Sequence, residues 1–274
     1  MDKRNNWLTC ITAIIAAVLL SAVTNALASL IPQGNMSEAE YGTIVYLLAG
    51  TANFVGMTII LAISKRLDIL KSIPKGSFIK GIGISIILVI YCIVTFTINT
   101  VSCIMSHSGA AMSPLITVIF ISGLFMGAGI GEELMYRGVI MSMIRGAASY
   151  KSRKVLIIGM AVSSVAFGLT HLTNLFVTDD VIGTFGQVIY AIGVGFYLAA
   201  VYARTGNLWY NIVLHFFVDM ASFIKTIFTS SEVTVSEILG GNQLSVIVIS
   251  VCIGIVFFCM GMFIIRKSKM PELS

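Results

Sequence analysis

Two adjacent carboxylates and an arginine lie inside one long apolar stretch of the sequence. Glu132, Glu133 and Arg137 occur in GIGEELMYRG, with Arg137 four residues after Glu133. Residues four apart share a face of an α-helix, so Glu133 and Arg137 are expected to form a structural ion pair. This pairing leaves Glu132 without a partner, and a carboxylate in that position is suited to proton transfer.

Two histidines in other apolar stretches could take part in the same chemistry. His171 ends the segment FGLTHL, where Phe167 lies one helical turn earlier and could shape a substrate pocket. His215 occurs in NIVLHFFVD, with Asp219 one turn later. A carboxylate four residues from a histidine can fix the tautomer of the ring, or it can support a histidine that binds a metal.

The composition indicates that the elements positioning these residues are membrane helices. The chain has 274 residues, of which 57% are hydrophobic and only 11% charged, and its mean hydropathy is +0.98. Soluble domains are usually about 25% charged. We therefore predict an all-α fold, a polytopic helix bundle in which the lipid bilayer is the main partner.

The apolar segments predict about eight transmembrane helices, because a membrane-spanning helix needs about 20 residues. The predicted spans are 7–31, 42–64, 79–105, 115–144, 155–172, 184–203, 207–229 and 244–265. We take 1–274 as one integral membrane domain whose first span is not cleaved, and 115–229 as its catalytic core. Four glycines along the fourth span either allow close helix packing or open space beside Glu132.

The charged residues support this map of spans. Fifteen of the seventeen Lys and Arg residues fall at 3–4, 65–80, 145–154, 204 and 266–269. These are the two ends of the chain and every second loop; the other loops are acidic, with Glu38, Glu40, Asp179, Asp180, Glu232 and Glu237. The positive-inside rule then predicts a cell-membrane protein with both termini in the cytoplasm. The net charge of +5 is thereby explained without a nucleic-acid partner.

The depth of the ionisable residues in their spans indicates that they can meet. At a rise of 1.5 Å per residue, Glu132, His215 and His171 lie ~20, ~16 and ~25 Å from the cytoplasmic ends of their helices. Charged groups at such depth are costly and usually functional. His107 falls in an outer loop and fits no such pattern.

The order and spacing of these motifs resemble the CAAX prenyl protease 2 and bacteriocin-processing family of intramembrane proteases, also called the Abi family. The three motifs are Glu-Glu-x-x-x-Arg, Phe-x-x-x-His and His-x-x-x-Asp, all within residues 132–219. The resemblance implies an endopeptidase that cleaves a peptide or protein substrate at a site within the membrane.

In the glutamate-type mechanism that this resemblance implies, Glu132 and His171 activate a water molecule, and His215 with Asp219 stabilises the oxyanion. The CAAX-processing branch usually has Asn where this chain has Asp219. An ionised Asp cannot donate a hydrogen bond to an oxyanion. Asp219 must therefore be protonated, or it only orients His215, and a prenylated substrate is less certain than a leader or other membrane-associated peptide.

Three alternatives stay open at the level of sequence. Glu132, His171 and His215 could instead bind Zn²⁺ with a water in the open position, although the HExxH motif is absent; we expect no cofactor. Intramembrane Glu, Arg and His also occur in proton-coupled transporters, but the internal repeat typical of these is not evident. A catalytically silent scaffold would not need Glu132 and both histidines.

Overall fold

The structure is a computed structural model that describes residues 7–106, 112–148, 152–176, 178–229, 234–239 and 241–270. His107 and several charged residues used in the topology argument lie outside the described residues: Lys3, Arg4, Lys151 and Glu232. All the secondary structure in the described part of the chain is helical.

Eight helices in the described residues are long and apolar enough to cross a membrane, which confirms the predicted all-α class and the number of spans. They are α1 (Trp7–Ala28), α2 (Glu38–Ile63), α3 (Ser77–Met105), α4 (Pro114–Ala147), α5 (Arg153–Phe176), α6 (Val181–Thr205), α7 (Leu208–Phe228) and α8 (Gln243–Ile264). Two short helices, Asp68–Lys71 and Val235–Ile238, lie in the connections.

Local capping explains why helices begin where they do. α2 begins four residues before the predicted span because Ser37 and Glu40 form a capping box, each side chain accepting from the other residue's backbone N–H. Such a box satisfies amides that the first helical turn leaves unpaired. At α4, the Ser113 side chain accepts from the Ile116 N–H and Pro114 occupies the first turn, where its missing N–H costs nothing.

The centre of the bundle is formed by the helices that carry the motifs together with α6. In the most apolar 18-residue segment of α6, 67% of the residues are buried. The same fraction is 22% or less in α1, α2, α3 and α8. The outer helices thus present apolar side chains outwards, as expected for lipid-facing helices, and enclose α4 to α7.

α4 departs from regular α-helical geometry around the carboxylates. Two π-helical stretches, Phe125–Glu132 and Leu134–Met141, are separated by Glu133 and flanked by ordinary α-helix. π-helical turns are rare and often lie at functional sites. Glu132 and Arg137 lie in these two stretches, and Glu133 lies between them.

Glycines bring α2 and α4 into close contact. A Cβ atom on Gly50 would lie 2.6 Å from the backbone nitrogen of Gly127, and one on Gly127 would lie 2.5 Å from the Tyr46 ring. Both positions exclude any larger residue. Gly127 therefore serves close helix packing, the first of the two roles considered for the glycines of the fourth span.

Candidate active site

Glu133 is the centre of a buried polar network. Its Oε1 lies 2.9 Å from the Arg137 Nη1 and 2.9 Å from the His215 Nδ1. Its Oε2 accepts from the Asn211 Nδ2 at 3.3 Å. The side chains of Glu133 and Arg137 are both fully buried. Glu133 thus joins α4 to α7 in addition to pairing with Arg137 inside α4.

Arg137 links α4 to two further helices. Its Nη2 donates to the Gly195 carbonyl of α6 at 3.0 Å, and its guanidinium lies over the Phe167 ring of α5, 5.1 Å from the centroid. A cation above an aromatic face is attracted by the ring quadrupole. The guanidinium consequently holds α4, α5 and α6 together beneath the carboxylates.

His215 presents its second ring nitrogen to two other carboxylates. Because an ionised Glu133 can only accept, the bond between them places a hydrogen on Nδ1. The His215 Nε2 then faces the Glu132 Oε2 at 3.7 Å and the Asp219 Oδ2 at 3.9 Å. Both carboxylates are partly exposed, 28% for Glu132 and 22% for Asp219. This side of the imidazole is therefore the one that a water molecule or a substrate can reach.

Phe167 contacts both histidines. Its ring packs edge-on against His171 at a centroid distance of 5.2 Å and against His215 at 5.5 Å. Tyr136 contacts the same ring at 5.1 Å, and Phe167 as a whole is only 4% exposed. Phe167, for which we expected a place in the substrate pocket, is therefore enclosed by the side chains that it positions.

The beginning of α7 is fixed from outside the motifs, which sets the position of His215. Asn207 caps α7 by accepting from the Tyr210 N–H at 3.2 Å and donates to Ser77 at 2.9 Å. The Trp209 indole donates to the Leu70 carbonyl at 2.9 Å. These bonds attach α7 to the connection between α2 and α3.

Comparison with known families matches residues 114–221 to the model for type II CAAX prenyl endopeptidases, Rce1-like. Residues 114–221 are thus similar to this family. The match confirms the resemblance stated from the motifs, and it includes every candidate site residue from Glu132 to Asp219. No curated protein and no solved structure matches the chain.

Within the matched residues 114–221, the structure gives the direct partners of Glu132 and of His215. Across the described residues, no hydrogen bond or ion pair joins Glu132 to His171, and the histidine within 4 Å of Glu132 is His215. Asp219 lies too far from His215 for a hydrogen bond. The carboxylate that orients the His215 ring is Glu133.

The matched residues also include a site residue that the sequence analysis missed. Asn211 is fully buried one turn before His215, and it contacts Glu133 directly. An amide inside an apolar span is itself costly and could have indicated this role. The carbonyls of Gly195 and Leu198, which also serve the network, carry no signal in the side-chain pattern.

The zinc alternative requires the side chains of Glu132, His171 and His215 to converge on one point. Among the described residues, no group of three or more His, Cys, Asp and Glu side chains has the geometry to hold a metal ion. Both histidines contact the Phe167 ring. The proposed set of zinc ligands does not fit the site as it is arranged here.

Proposed function

We propose that this protein is an intramembrane endopeptidase that hydrolyses a peptide bond in a membrane-associated substrate. The Rce1-like family suggests protease activity, and the eight apolar helices are those of a multi-pass membrane protein. The observation that carries the proposal is the placement of a partly exposed Glu132 carboxylate 3.7 Å from the Nε2 of an oriented His215. A base beside an oriented imidazole is the minimum that water attack on an amide requires.

In the proposed reaction, Glu132 accepts a proton from a water molecule whose oxygen attacks the scissile carbonyl carbon. His171 assists Glu132 in positioning that water. The tetrahedral intermediate then collapses as Glu132 returns the proton to the leaving nitrogen, which gives a carboxylate and an amine. The attacking water reaches Glu132 through the exposed part of its side chain, which is 28% exposed.

The oxyanion of the intermediate is assigned to His215 and Asp219. With both ring nitrogens protonated, His215 donates from Nδ1 to Glu133 and from Nε2 to the oxyanion. Asp219 contributes from the same side when it carries its acid proton, since its Oδ2 lies 3.9 Å from the His215 Nε2. Donors fixed in advance in a site of low dielectric constant stabilise such a charge strongly.

The substrate class follows from the depth of the site. The reacting groups lie inside helices long enough to span the bilayer, so the scissile bond must enter the membrane region. Prenylated peptides, leader peptides and membrane-bound proteins all satisfy this condition. The family description favours the prenylated class, whereas Asp219 in the place of the usual Asn weighs against it.

The test is a comparison of membrane peptides from cells that express the wild-type protein or a variant. Glu132→Gln, His171→Ala and His215→Ala should each abolish the appearance of cleavage products while the protein still accumulates in the membrane. Glu38→Gln is the matched control because it makes the same change at the start of α2, and it should leave the products unchanged. Products that persist in all three site variants would contradict the proposal.

A second measurement distinguishes the metal-free chemistry from the zinc alternative. Purified protein is dialysed against a strong chelator, and its metal content and cleavage rate are measured together. Full activity without bound metal supports the glutamate mechanism. Activity that is lost and then restored by Zn²⁺ would overturn it.

A further inference from the structure

Asn211 contacts the buried side of Glu133. Its Nδ2 donates to the Leu198 carbonyl at 2.7 Å and to the Glu133 Oε2 at 3.3 Å. The Asn211 side chain is fully enclosed, so it cannot touch a substrate. Its effect on the reaction must therefore pass through Glu133.

The two oxygens of Glu133 have separate partners, and this separation determines the orientation of the carboxylate. Oε1 faces Arg137 and His215, whereas Oε2 faces Asn211. The terminal torsion of a glutamate is broad and does not fix the carboxylate plane by itself. A donor on Oε2 that is itself anchored to the α6 backbone fixes that plane, and Oε1 is thereby directed at the His215 Nδ1.

We propose that Asn211 is a positioning residue that holds Glu133 in the orientation that keeps a hydrogen on the His215 Nδ1 and fixes the direction of the ring. The kinetic part of this inference rests on the proposed function, because it requires that the His215 Nε2 acts on the substrate. The structural part does not, since the state of the ring can be observed without turnover.

Asn99 provides a matched control within the same bundle. Its Nδ2 donates to the Ala221 carbonyl at 2.9 Å, which resembles the bond from Asn211 to Leu198. No described hydrogen bond joins Asn99 to Glu133. Asn99→Leu and Asn211→Leu thus each remove an asparagine-to-backbone bond involving α7, and only the second also frees Glu133.

The experiment is ¹⁵N NMR of histidine-labelled protein in lipid nanodiscs, with the His215 signals assigned by their loss in His215→Gln. We expect a single His215 state with a hydrogen on Nδ1 in the wild type and in Asn99→Leu, and a second state or a changed Nδ1 shift in Asn211→Leu. An unchanged His215 spectrum in Asn211→Leu would overturn the inference. If Asn211→Leu does not accumulate, Asn211→Ala, which cannot clash with its neighbours, replaces it with the same expectation.

Steady-state kinetics on a cleaved peptide form the second measurement. Asn211→Leu should lower kcat about 10- to 100-fold, by analogy with the groups that orient metal-bound histidines. KM should stay unchanged because Asn211 does not reach the substrate. A loss confined to KM would contradict a positioning role. If no peptide is cleaved by any form while the NMR difference appears, the proposed function fails and the positioning of His215 stands.

Discussion

Removal of Arg137 tests whether the buried network holds the helix bundle together. In Arg137→Ala, the fully buried Glu133 carboxylate loses the guanidinium that lies 2.9 Å away. The Gly195 carbonyl loses its donor and Phe167 loses the cation above its ring. Breaking a buried ion pair by removing one partner typically costs ~3–5 kcal/mol. We expect a loss in this range, towards its lower end because Asn211 and His215 still contact Glu133.

The assay is the free energy of unfolding in mixed micelles, together with the amount of folded protein in the membrane. Replacing both residues, as in Glu133→Gln with Arg137→Gln, should recover part of the loss because neither charge is then left unpaired. Lys80→Ala removes a positive charge from an exposed position at the start of α3 and should change stability by no more than about 0.5 kcal/mol. Wild-type stability in Arg137→Ala would refute the account of the network.

Three further predictions concern other parts of the molecule. Single cysteines at residues 36, 110, 179 and 235 should all be labelled from outside the cell if both termini are cytoplasmic, and labelling of any of them from the cytoplasm would remove a span from the predicted topology. In a thermal unfolding assay, Gly195→Ala should destabilise the protein by ~1–3 kcal/mol, because its Cβ would lie 2.8 Å from the Phe167 ring. Gly83→Ala is the control: its Cβ would meet no atom within 4 Å, so it should be neutral or stabilising. Burial alone would raise the pKa of Asp180, but hydrogen bonds from Ser236 and from a backbone N–H lower it below its usual value. The stabilisation that Asp180 contributes is therefore present at neutral pH and lost as pH falls through this lowered pKa, so the stability difference between wild type and Asp180→Asn should shrink in acid.

The membrane architecture follows from the sequence because the bilayer imposes simple rules on length and charge. Runs of about 20 apolar residues and the alternation of basic and acidic loops were enough to place eight spans. The helix ends moved by a few residues where caps act, as at Ser37. The π-helical geometry of α4 was not predicted, since no residue pattern distinguishes it from an ordinary helix.

The sequence predicted which residues lie close together better than it predicted which of them contact each other. Comparable depth correctly suggested that Glu132 and His215 can meet, and they lie within 4 Å of each other. From the spacing of four residues, only Arg137 was predicted as a partner of Glu133, although a carboxylate can accept from several donors. Asn211 and the Gly195 carbonyl complete the network from α7 and α6, and such contacts depend on how the helices pack.

The most direct test of the central claim is the rate at which purified Glu132→Gln cleaves a peptide that the wild-type protein cleaves. The substitution keeps the shape of the side chain and removes its ability to accept a proton. Glu132 is partly exposed and takes no part in the buried ion pair, so the variant should unfold at the wild-type temperature. The account predicts a rate at least ~10²-fold lower, with Glu38→Gln equal to the wild type. Cleavage at the wild-type rate by folded Glu132→Gln would contradict the assignment of this cluster as the active site.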